Sequence, residues 1–207
     1  MKFITSIFLG FATLIFSGCV TVPPKDYTEF RKSNPRSILV LPPLNESTDV
    51  NATYSLLTTT THPLAELGYY VMPVAVVDQF LKENGLTVPG EMHQAPLAKL
   101  REVFGADAVM YITIQQYGSK YQVFASNTMV VAKARLVDCR NGVTLWEGQV
   151  QAVANGQSGL LEALLTQVLN KLTDQAHMVA TMASYQLFLT PTQGLPKGPR
   201  HPEFGKN

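Results

Sequence analysis

A long hydrophobic run, of the kind that forms a transmembrane helix, is missing from this sequence of 207 residues. The one candidate, residues 3–16, is uncharged and largely apolar but has only 14 residues, whereas a helix that crosses a bilayer needs about 20. It follows the cationic Lys2, an order that is typical of a secretory signal peptide. The sequence therefore predicts an export signal over residues 1–18 in place of a permanent membrane span.

A surplus of charge of either sign is also missing. Without residues 1–18, the predicted mature chain of 189 residues has 15 Lys or Arg and 15 Asp or Glu, and it is formally neutral. Binding of nucleic acids and other polyanions requires a basic surface that offsets their negative charge. We therefore expect no nucleic-acid partner.

Cysteine is scarce, and the two in the chain are Cys19 and Cys139. The residues that end at Cys19 read Phe-Ser-Gly-Cys and resemble a lipobox, with phenylalanine where an aliphatic residue is usual. The Cys19 thiol is the nucleophile that accepts a diacylglycerol, and the small Ser17 and Gly18 allow a signal peptidase to bind this segment in extended form. We predict lipidation at Cys19, the alternative being an ordinary signal peptide with a chance cysteine.

Acylation would convert the Cys19 sulfur to a thioether and leave Cys139 without a disulfide partner in the same chain. We interpret Cys139 as a buried structural thiol, the alternative being an intermolecular disulfide. Two or three acyl chains anchor a protein stably, whereas one binds a membrane only reversibly. Val20 and Thr21 follow Cys19 in place of the aspartate that retains lipoproteins in the inner membrane. By resemblance to other lipoproteins of bacteria with two membranes, this favours the outer membrane, with the chain on its periplasmic face.

Recognisable catalytic and metal-binding motifs are missing as well. The chain has neither a phosphate-binding Gly-x-x-x-x-Gly-Lys loop nor a Rossmann glycine pattern, and residues 156–159 are one residue short of a nucleophile elbow. The four histidines lack partners at the short spacings that metal sites use: His62, His93, His177 and His201. We therefore predict no catalytic residue, no cofactor and no metal site.

The distribution of proline and glycine divides the predicted mature chain into three parts. Residues 19–36 contain two adjacent prolines and no apolar periodicity, which indicates a lipidated tether. Residues 37–188 are predicted to form a single globular domain. Residues 189–207 are rich in proline and glycine, and this composition predicts a disordered tail.

Hydrophobic periodicity in the first half of the globular part predicts strands that alternate with helices. Buried strands are predicted at residues 37–41 and 69–72, and helices at residues 52–67, 74–84 and 96–104. The first of these helices contains the threonine tract 58–61. We interpret its hydroxyls as bonded to helix carbonyls, the alternative being a contact surface for a partner.

The second half is predicted to be β-rich and to end in a helix. Alternating apolar residues predict strands at residues 107–117, 130–138 and 143–154. Asn141-Gly142 predicts a type I′ hairpin turn before the last strand, with Trp146 facing the core. A long amphipathic helix is predicted over residues 158–185. The predicted class is α/β (α+β), with a mixed sheet of about five strands, a β-hairpin meander and helices packed on it.

Three segments of the chain carry a resemblance to known envelope proteins. They are residues 37–45 at the first strand, residues 104–109 (Phe-Gly-Ala-Asp-Ala-Val) at a helix-to-strand junction, and residues 135–146 across the hairpin. They are similar to the TolB amino-terminal domain and the curli-secretion lipoprotein CsgG. None of these motifs is catalytic, so the resemblance implies the mixed sheet and, by analogy of fold, a role in assembly within the envelope.

Residues 63–73 read Pro-Leu-Ala-Glu-Leu-Gly-Tyr-Tyr-Val-Met-Pro. They resemble a family of bacterial lipoproteins typified by a genome-derived Neisseria antigen, and this resemblance spans residues 37–183. It implies a non-enzymatic accessory or assembly subunit of an envelope export or transport system. The implied partners are the membrane, a second copy of the chain (a dimer being favoured) and other lipoproteins, including a CsgG-like one. The alternative is a periplasmic ligand-binding or hydrolytic domain whose site the sequence does not reveal.

Overall fold

The computed structural model describes residues 25–122, 125–155 and 175–206, which form a six-stranded sheet with helices on both faces. The strands are β1 (Ser37–Val40), β2 (Leu44–Asn45), β3 (Tyr70–Val71), β4 (Ala108–Gln122), β5 (Ala125–Asp138) and β6 (Thr144–Asn155). The helices are α1 (Thr28–Ser33), α2 (Ala52–Glu66), α3 (Val74–Glu83), α4 (Pro89–Met92), α5 (Leu97–Phe104) and α6 (Gln175–Leu189). The predicted α+β class with a mixed sheet is confirmed.

The sheet combines parallel and antiparallel pairing. Its strands lie in the order β3-β1-β4-β5-β6, and β2 also pairs with β4. Strand β1 is parallel to β3 and β4, and β2 is parallel to β4, whereas β4, β5 and β6 form an antiparallel meander. Because β1 and β2 are short and β4 has 15 residues, the meander extends beyond the parallel part of the sheet.

The predicted threonine-rich helix is present as α2, and its hydroxyls bond within the protein. Thr58, Thr59 and Thr60 donate to the backbone carbonyls three residues earlier, at 2.7–2.9 Å. The Thr59 hydroxyl also lies 2.6 Å from that of Ser184 on α6. The interpretation of internal hydrogen bonding is therefore confirmed for these threonines, and Thr59 in addition joins two packed helices.

The larger core lies between one face of the sheet and helices α2 and α6. Alternate residues of β4, β5 and β6 contribute to it, and Trp146 is 2% exposed. The ring centroids of Trp146 and Phe188 lie 5.9 Å apart. Gly148 leaves room for the indole, since a Cβ there would lie 2.3 Å from the Trp146 ring. The predicted inward orientation of Trp146 is confirmed.

A smaller core covers part of the opposite face of the sheet. It is formed by residues of β1, of helices α3, α4 and α5, of β4 and of the loops beside these elements. Its buried residues are Leu39, Leu41, Val77, Leu81, Met92, Leu100, Ala106, Val109 and Cys139. Burial, followed by the charge of the nearby Asp138, raises the pKa of the Cys139 thiol to about 11. Cys139 is therefore a buried thiol, as predicted, and it is protonated at neutral pH.

The predicted β5–β6 hairpin is present, but its turn is not the predicted type I′ turn. Four residues connect Asp138 with Val143, whose carbonyl oxygen accepts the Asp138 backbone N–H at 2.9 Å. Gly142 has a φ of +74°, but Asn141 does not have the positive φ that a type I′ turn requires. The Asp138 carboxylate accepts the Arg140 backbone N–H at 2.7 Å, and this bond stabilises the wider turn.

The structure corrects the predicted limits of the globular domain. Helix α1 of the predicted tether and residues 193–199 of the predicted disordered tail pack on the domain, where Phe30 and Leu195 are each 5% exposed, whereas residues 202–206 are exposed. Backbone hydrogen bonds, which composition does not reveal, hold both segments. Residues 1–24, with the predicted signal peptide and the start of the tether, lie outside the described residues.

The longest elements also differ from the predicted lengths. Strands β4 and β5 pair as far as Gln122 and Ala125, several residues beyond the predicted ends. The helix predicted over residues 158–185 is described from Gln175, where α6 begins, and it continues to Leu189. The earlier part of that predicted helix lies outside the described residues.

The substitution Trp146→Ala tests the larger core. We expect it to lower the free energy of unfolding by about 3 to 5 kcal/mol, because it truncates a buried large aromatic side chain. Chemical denaturation measures the loss, and Val76→Ala, at a side chain that is 63% exposed, is the control. A loss below about 1 kcal/mol would contradict the observed burial of the indole.

Candidate functional site

Cys19, the predicted acylation site, lies outside the described residues, but the chain that follows it is described from Lys25 onward. The Lys25 Nζ lies 5.1 Å from the centroid of the Trp146 ring. The Tyr27 hydroxyl donates to the carbonyl oxygen of Gly194 at 2.6 Å. These contacts fix the point where the amino-terminal chain reaches the domain, beside the edge strand β6.

A buried carboxylate ties helix α1 to the β5–β6 hairpin. Asp138 is 1% exposed and accepts hydrogen bonds from the Ser33 hydroxyl at 2.6 Å and from Arg140 Nη2 at 2.5 Å. Arg140 Nη2 also donates to the Ser33 carbonyl oxygen at 2.8 Å. Burial alone would raise the pKa of Asp138, but these donors outweigh it and lower the pKa to about 2. The carboxylate is therefore charged at neutral pH and bonds strongly to both donors.

The carboxy-terminal segment is held by close contacts at the same end of the molecule. The Tyr69 hydroxyl donates to the Pro196 carbonyl oxygen at 2.5 Å, and the Gly198 backbone N–H donates to the Leu67 carbonyl oxygen at 2.6 Å. A Cβ at Gly198 would lie 2.7 Å from the Tyr69 ring, so this approach requires glycine. No sequence pattern signals these contacts, because each joins residues more than 120 positions apart.

We call residues 25–36 and 190–206 together the terminal junction. A cleft of about 860 Å³ lies between α1, the end of α2 and the carboxy-terminal segment. Its apolar lining includes Tyr27, Phe30, Leu67, Leu189, Leu195 and Phe204. Arg31, Glu66 and Lys197 also line it. The volume lies in the range of about 300–1,000 Å³ that is usual for small-molecule sites.

The terminal junction concentrates positive charge in a chain that is otherwise acidic. It contains seven Lys or Arg and three Asp or Glu, whereas residues 37–189 contain eight and 12. Lys32 pairs with Glu29 at 2.7 Å, and Lys197 pairs with Glu203. Surface pairs leave the net charge of a region unchanged, so the junction keeps a positive field.

The uncovered part of the second sheet face forms a polar trough of about 970 Å³. Lys133, Arg135, Glu147, Tyr111 and His93 are among the residues that line it. The Arg135 Cζ lies 5.3 Å from the centroid of the Tyr111 ring. Burial lowers the pKa of His93, and the charge of Arg135 acts in the same direction, whereas the hydrogen bond of the ring to the Pro42 carbonyl oxygen acts against them. Because the trough is open and of mixed charge, we assign it no catalytic chemistry.

Helix α6 has no charged side chain along its 15 residues. Its inner side packs in the larger core, but Met178 and Met182, one turn apart, are 43% and 46% exposed. Tyr185 lies next on this side, with its hydroxyl 2.5 Å from Nδ1 of His62. Gln186, the next exposed residue along this side, is polar, so the apolar stripe is formed by the two methionines. The outer side of α6, which we define by Met178, Met182 and Tyr185, is therefore uncharged and exposes apolar side chains to solvent.

One hydrogen-bonded group contains side-chain types that hydrolases use. The Ser55 hydroxyl on α2 lies 2.9 Å from Nδ1 of His177 on α6, and the Tyr117 hydroxyl donates to Ser55 Oγ at 2.5 Å. A serine nucleophile also needs a group that orients its base and donors for the oxyanion. Within the part of the chain that the structure describes, no carboxylate forms an ion pair with His177. No pattern in the sequence indicates this group, because Ser55 and His177 are 122 positions apart.

His62 and His177 lie on the packed helices α2 and α6 and contact Tyr185 and Ser55, respectively. Among residues 25–122, 125–155 and 175–206, no three His, Cys, Asp or Glu side chains are grouped so that they could hold a metal ion. Of the helices described here, none combines the length and the apolar character that crossing a membrane would require.

The mixed sheet, the helices on both of its faces and the joined chain ends define an α+β domain of the kind found in bacterial lipoproteins. The chain belongs to the family described as "Putative lipoprotein GNA1162-like", whose family model matches residues 25–200. The lipoprotein NMB1124/NMB1162 of Neisseria meningitidis serogroup B is 48% identical over 203 residues, which cover 93% of this chain and 94% of that protein. The predicted Neisseria-type lipoprotein family is thereby confirmed.

Solved structures share the fold. The crystal structure of lipoprotein GNA1162 from Neisseria meningitidis is 48% identical, with a TM-score of 0.57, and the match covers 67% of this chain and 98% of that one. A PelC dodecamer from Paraburkholderia phytofirmans is 16% identical, with a TM-score of 0.51, and the match covers 78% of this chain and 90% of that one. At such identity the second likeness shows the fold alone. The resemblance to the TolB domain and CsgG stays a prediction.

The Asp138 contacts predict a loss of stability in acid. Because the folded-state pKa of about 2 lies below the ordinary value of 3.8, the carboxylate contributes stability that is present above about pH 4 and lost as the pH falls towards 2. We expect Asp138→Asn to lower the free energy of unfolding by roughly 2 to 3 kcal/mol at pH 7 and by less at pH 2.

Urea denaturation at both pH values measures this difference. Glu102→Gln is the control, because Glu102 forms an exposed pair with Lys99 and should change the stability little at either pH. An equal loss for Asp138→Asn at both pH values would mean that the charge of Asp138 is not what stabilises the fold.

Proposed function

We propose that this chain is exported, acylated on Cys19 and held on the periplasmic face of the outer membrane. There it acts as a non-enzymatic assembly or accessory subunit of an envelope transport system. Membership of a lipoprotein family supports the anchor. The single observation that carries the assembly role is the uncharged outer side of α6. The proposed partners are a second copy of the chain, in a dimer, and other envelope lipoproteins such as a CsgG-like one.

The outer side of α6 has the character of a contact surface. Met178 and Met182 expose a flexible apolar stripe, and methionine adapts its shape to irregular partners. By contrast, the exposed side of α5 carries the charged residues Lys99, Arg101 and Glu102. An apolar patch on an otherwise polar surface favours a protein partner, because association removes that patch from water.

Self-association is also compatible with the fold and with the proposed anchor. PelC from Paraburkholderia phytofirmans, which shares the fold, is a dodecamer in two crystal forms. This likeness supports a symmetric assembly in general and carries no subunit number to the present chain. Anchoring would confine the copies to one membrane and raise their effective concentration, so a modest interface would suffice.

The substitution Cys19→Ala in the full-length precursor tests the anchor. Without the thiol no diacylglycerol can be attached, so we expect an unprocessed or soluble product in place of a mature protein retained on the membrane. Membrane fractionation and intact mass measure this outcome. Cys139→Ala is the matched control and should stay acylated and membrane-bound. A processed Cys19→Ala chain that remains on the membrane would refute the anchor.

The double substitution Met178→Glu, Met182→Glu tests the assembly surface. We expect the acylated protein in mild detergent to have the mass of a homo-oligomer by light scattering. The double variant should be monomeric, because burial of unpaired carboxylates in an interface is strongly unfavourable. Val103→Glu on α5, at a side chain that is 49% exposed, is the control and should leave the mass unchanged. A monomeric wild type, or an oligomer that survives the double substitution, would rule out this surface.

The alternative is a hydrolytic or ligand-binding periplasmic domain, and the contact between Ser55 and His177 is the observation that favours it. An activated serine reacts covalently with fluorophosphonates. If a fluorophosphonate labels the wild type and Thr58→Ala but not Ser55→Ala, the hydrolytic alternative is correct and the assembly role is not needed. The absence of labelling would count against the alternative.

A further inference from the structure

We propose that the cleft of the terminal junction binds one acyl chain of an anionic phospholipid, whose phosphate group contacts the cations that line the same cleft. This inference rests on the proposed membrane anchor, because the cleft must lie near a bilayer to take up a phospholipid.

The shape and lining of the cleft favour a hydrocarbon chain. Phe30, Leu67 and Leu195 are 5%, 7% and 5% exposed and form an apolar floor. Leu189 and Phe204 also line the cleft and are 38% and 45% exposed, so they extend the apolar surface to its mouth. Hydrocarbon is the ligand chemistry that gains most from such a surface, since transfer of apolar groups out of water drives binding.

The positive charge around the cleft favours a phospholipid with an anionic head group. Arg31 and Lys197 line the same cleft as the apolar residues, together with Glu66. Lys197 also pairs with Glu203, so a bound phosphate would compete with that carboxylate. The junction around them has seven Lys or Arg against three Asp or Glu. Basic residues close to a bilayer attract anionic head groups, and a guanidinium can bond a phosphate through two N–H groups. A zwitterionic head group, in which the positive charge of choline offsets the negative charge of the phosphate, is attracted less strongly by the positive charge of the terminal junction.

The position of the junction brings the cleft near the membrane. Lys25 is six residues after Cys19, and an extended chain of this length spans about 20 Å. The cleft would therefore stay close to the leaflet that holds the anchor. The acyl chains of the anchor itself match the cleft less well, because a thioether-linked diacylglycerol has no phosphate for Arg31 and Lys197 to bind.

Native mass spectrometry of the acylated protein in a non-ionic detergent tests the proposal, with dipalmitoyl phosphatidylglycerol and dipalmitoyl phosphatidylcholine as probes. We expect one phosphatidylglycerol per chain, bound at least about tenfold more tightly than phosphatidylcholine. The double substitution Arg31→Ala, Lys197→Ala should reduce this preference below about threefold. Lys99→Ala is the control, because Lys99 is paired with a glutamate, as Lys197 is, but lies on α5 and does not line the cleft.

A second variant separates binding in the cleft from binding at the surface. Leu189→Arg places a charge at the mouth of the cleft and should weaken the binding of both phospholipids. Thermal unfolding checks that the substitution, at a side chain that is half-exposed, leaves the fold intact. Each of four results would overturn the proposal. They are equal affinity for both probes, adducts that do not saturate, no adduct at all, and a preference for phosphatidylglycerol that survives Arg31→Ala, Lys197→Ala. The same spectrum gives the covalent mass of the chain. A bare amino terminus would refute the anchor whatever the cleft binds, so the two failures are distinguishable.

Discussion

Hydrogen bonds from aromatic side chains to the carboxy-terminal backbone hold the two ends of the described chain together, and the other features depend on them. The buried Trp146 donates from Nε1 to the Gln193 carbonyl oxygen at 2.9 Å, one residue before the carbonyl that accepts from Tyr27. A buried indole N–H without an acceptor would destabilise the core. The carboxy-terminal segment therefore completes the core and at the same time forms one wall of the cleft, so that folding of the sheet and formation of the cleft are coupled.

Helix α6 has a buried inner side and a partly exposed outer side, and different residues are favourable on each. On its inner side Ala180 and Ala183 are fully buried, and such small residues allow close packing against α2. On its outer side a charged residue at Met178 or Met182 would leave that packing intact and would improve solubility. Folding alone therefore does not account for an uncharged outer side, whereas a protein partner does.

Sequence periodicity predicted the elements whose burial is set by their own residues. Strands β4, β5 and β6 alternate apolar and polar side chains, and this pattern fixes both their conformation and the face that they bury. It did not predict the packed carboxy-terminal segment, because the bond between Tyr69 and Pro196 joins residues 127 positions apart and needs no apolar repeat. The candidate sites divide in the same way. Acylation at Cys19 is predicted by a contiguous motif, whereas the contact between Ser55 and His177 exists only once α2 and α6 have packed.

The terminal junction and α6 together restrict how two copies could associate. Leu189, the last residue of α6, lines the cleft, and Met182 and Met178 lie roughly 10 and 16 Å further along the helix axis. With both anchors in one leaflet, the junctions of two copies must face the same bilayer. A two-fold axis normal to the membrane satisfies this condition and brings the same surface of each copy into contact, whereas an axis in the membrane plane would lift one junction away from the lipid. An interface through the outer side of α6 is therefore compatible with the anchor only if the two helices pack side by side. The Leu189 end of each helix, with the cleft that it lines, then lies on the membrane side.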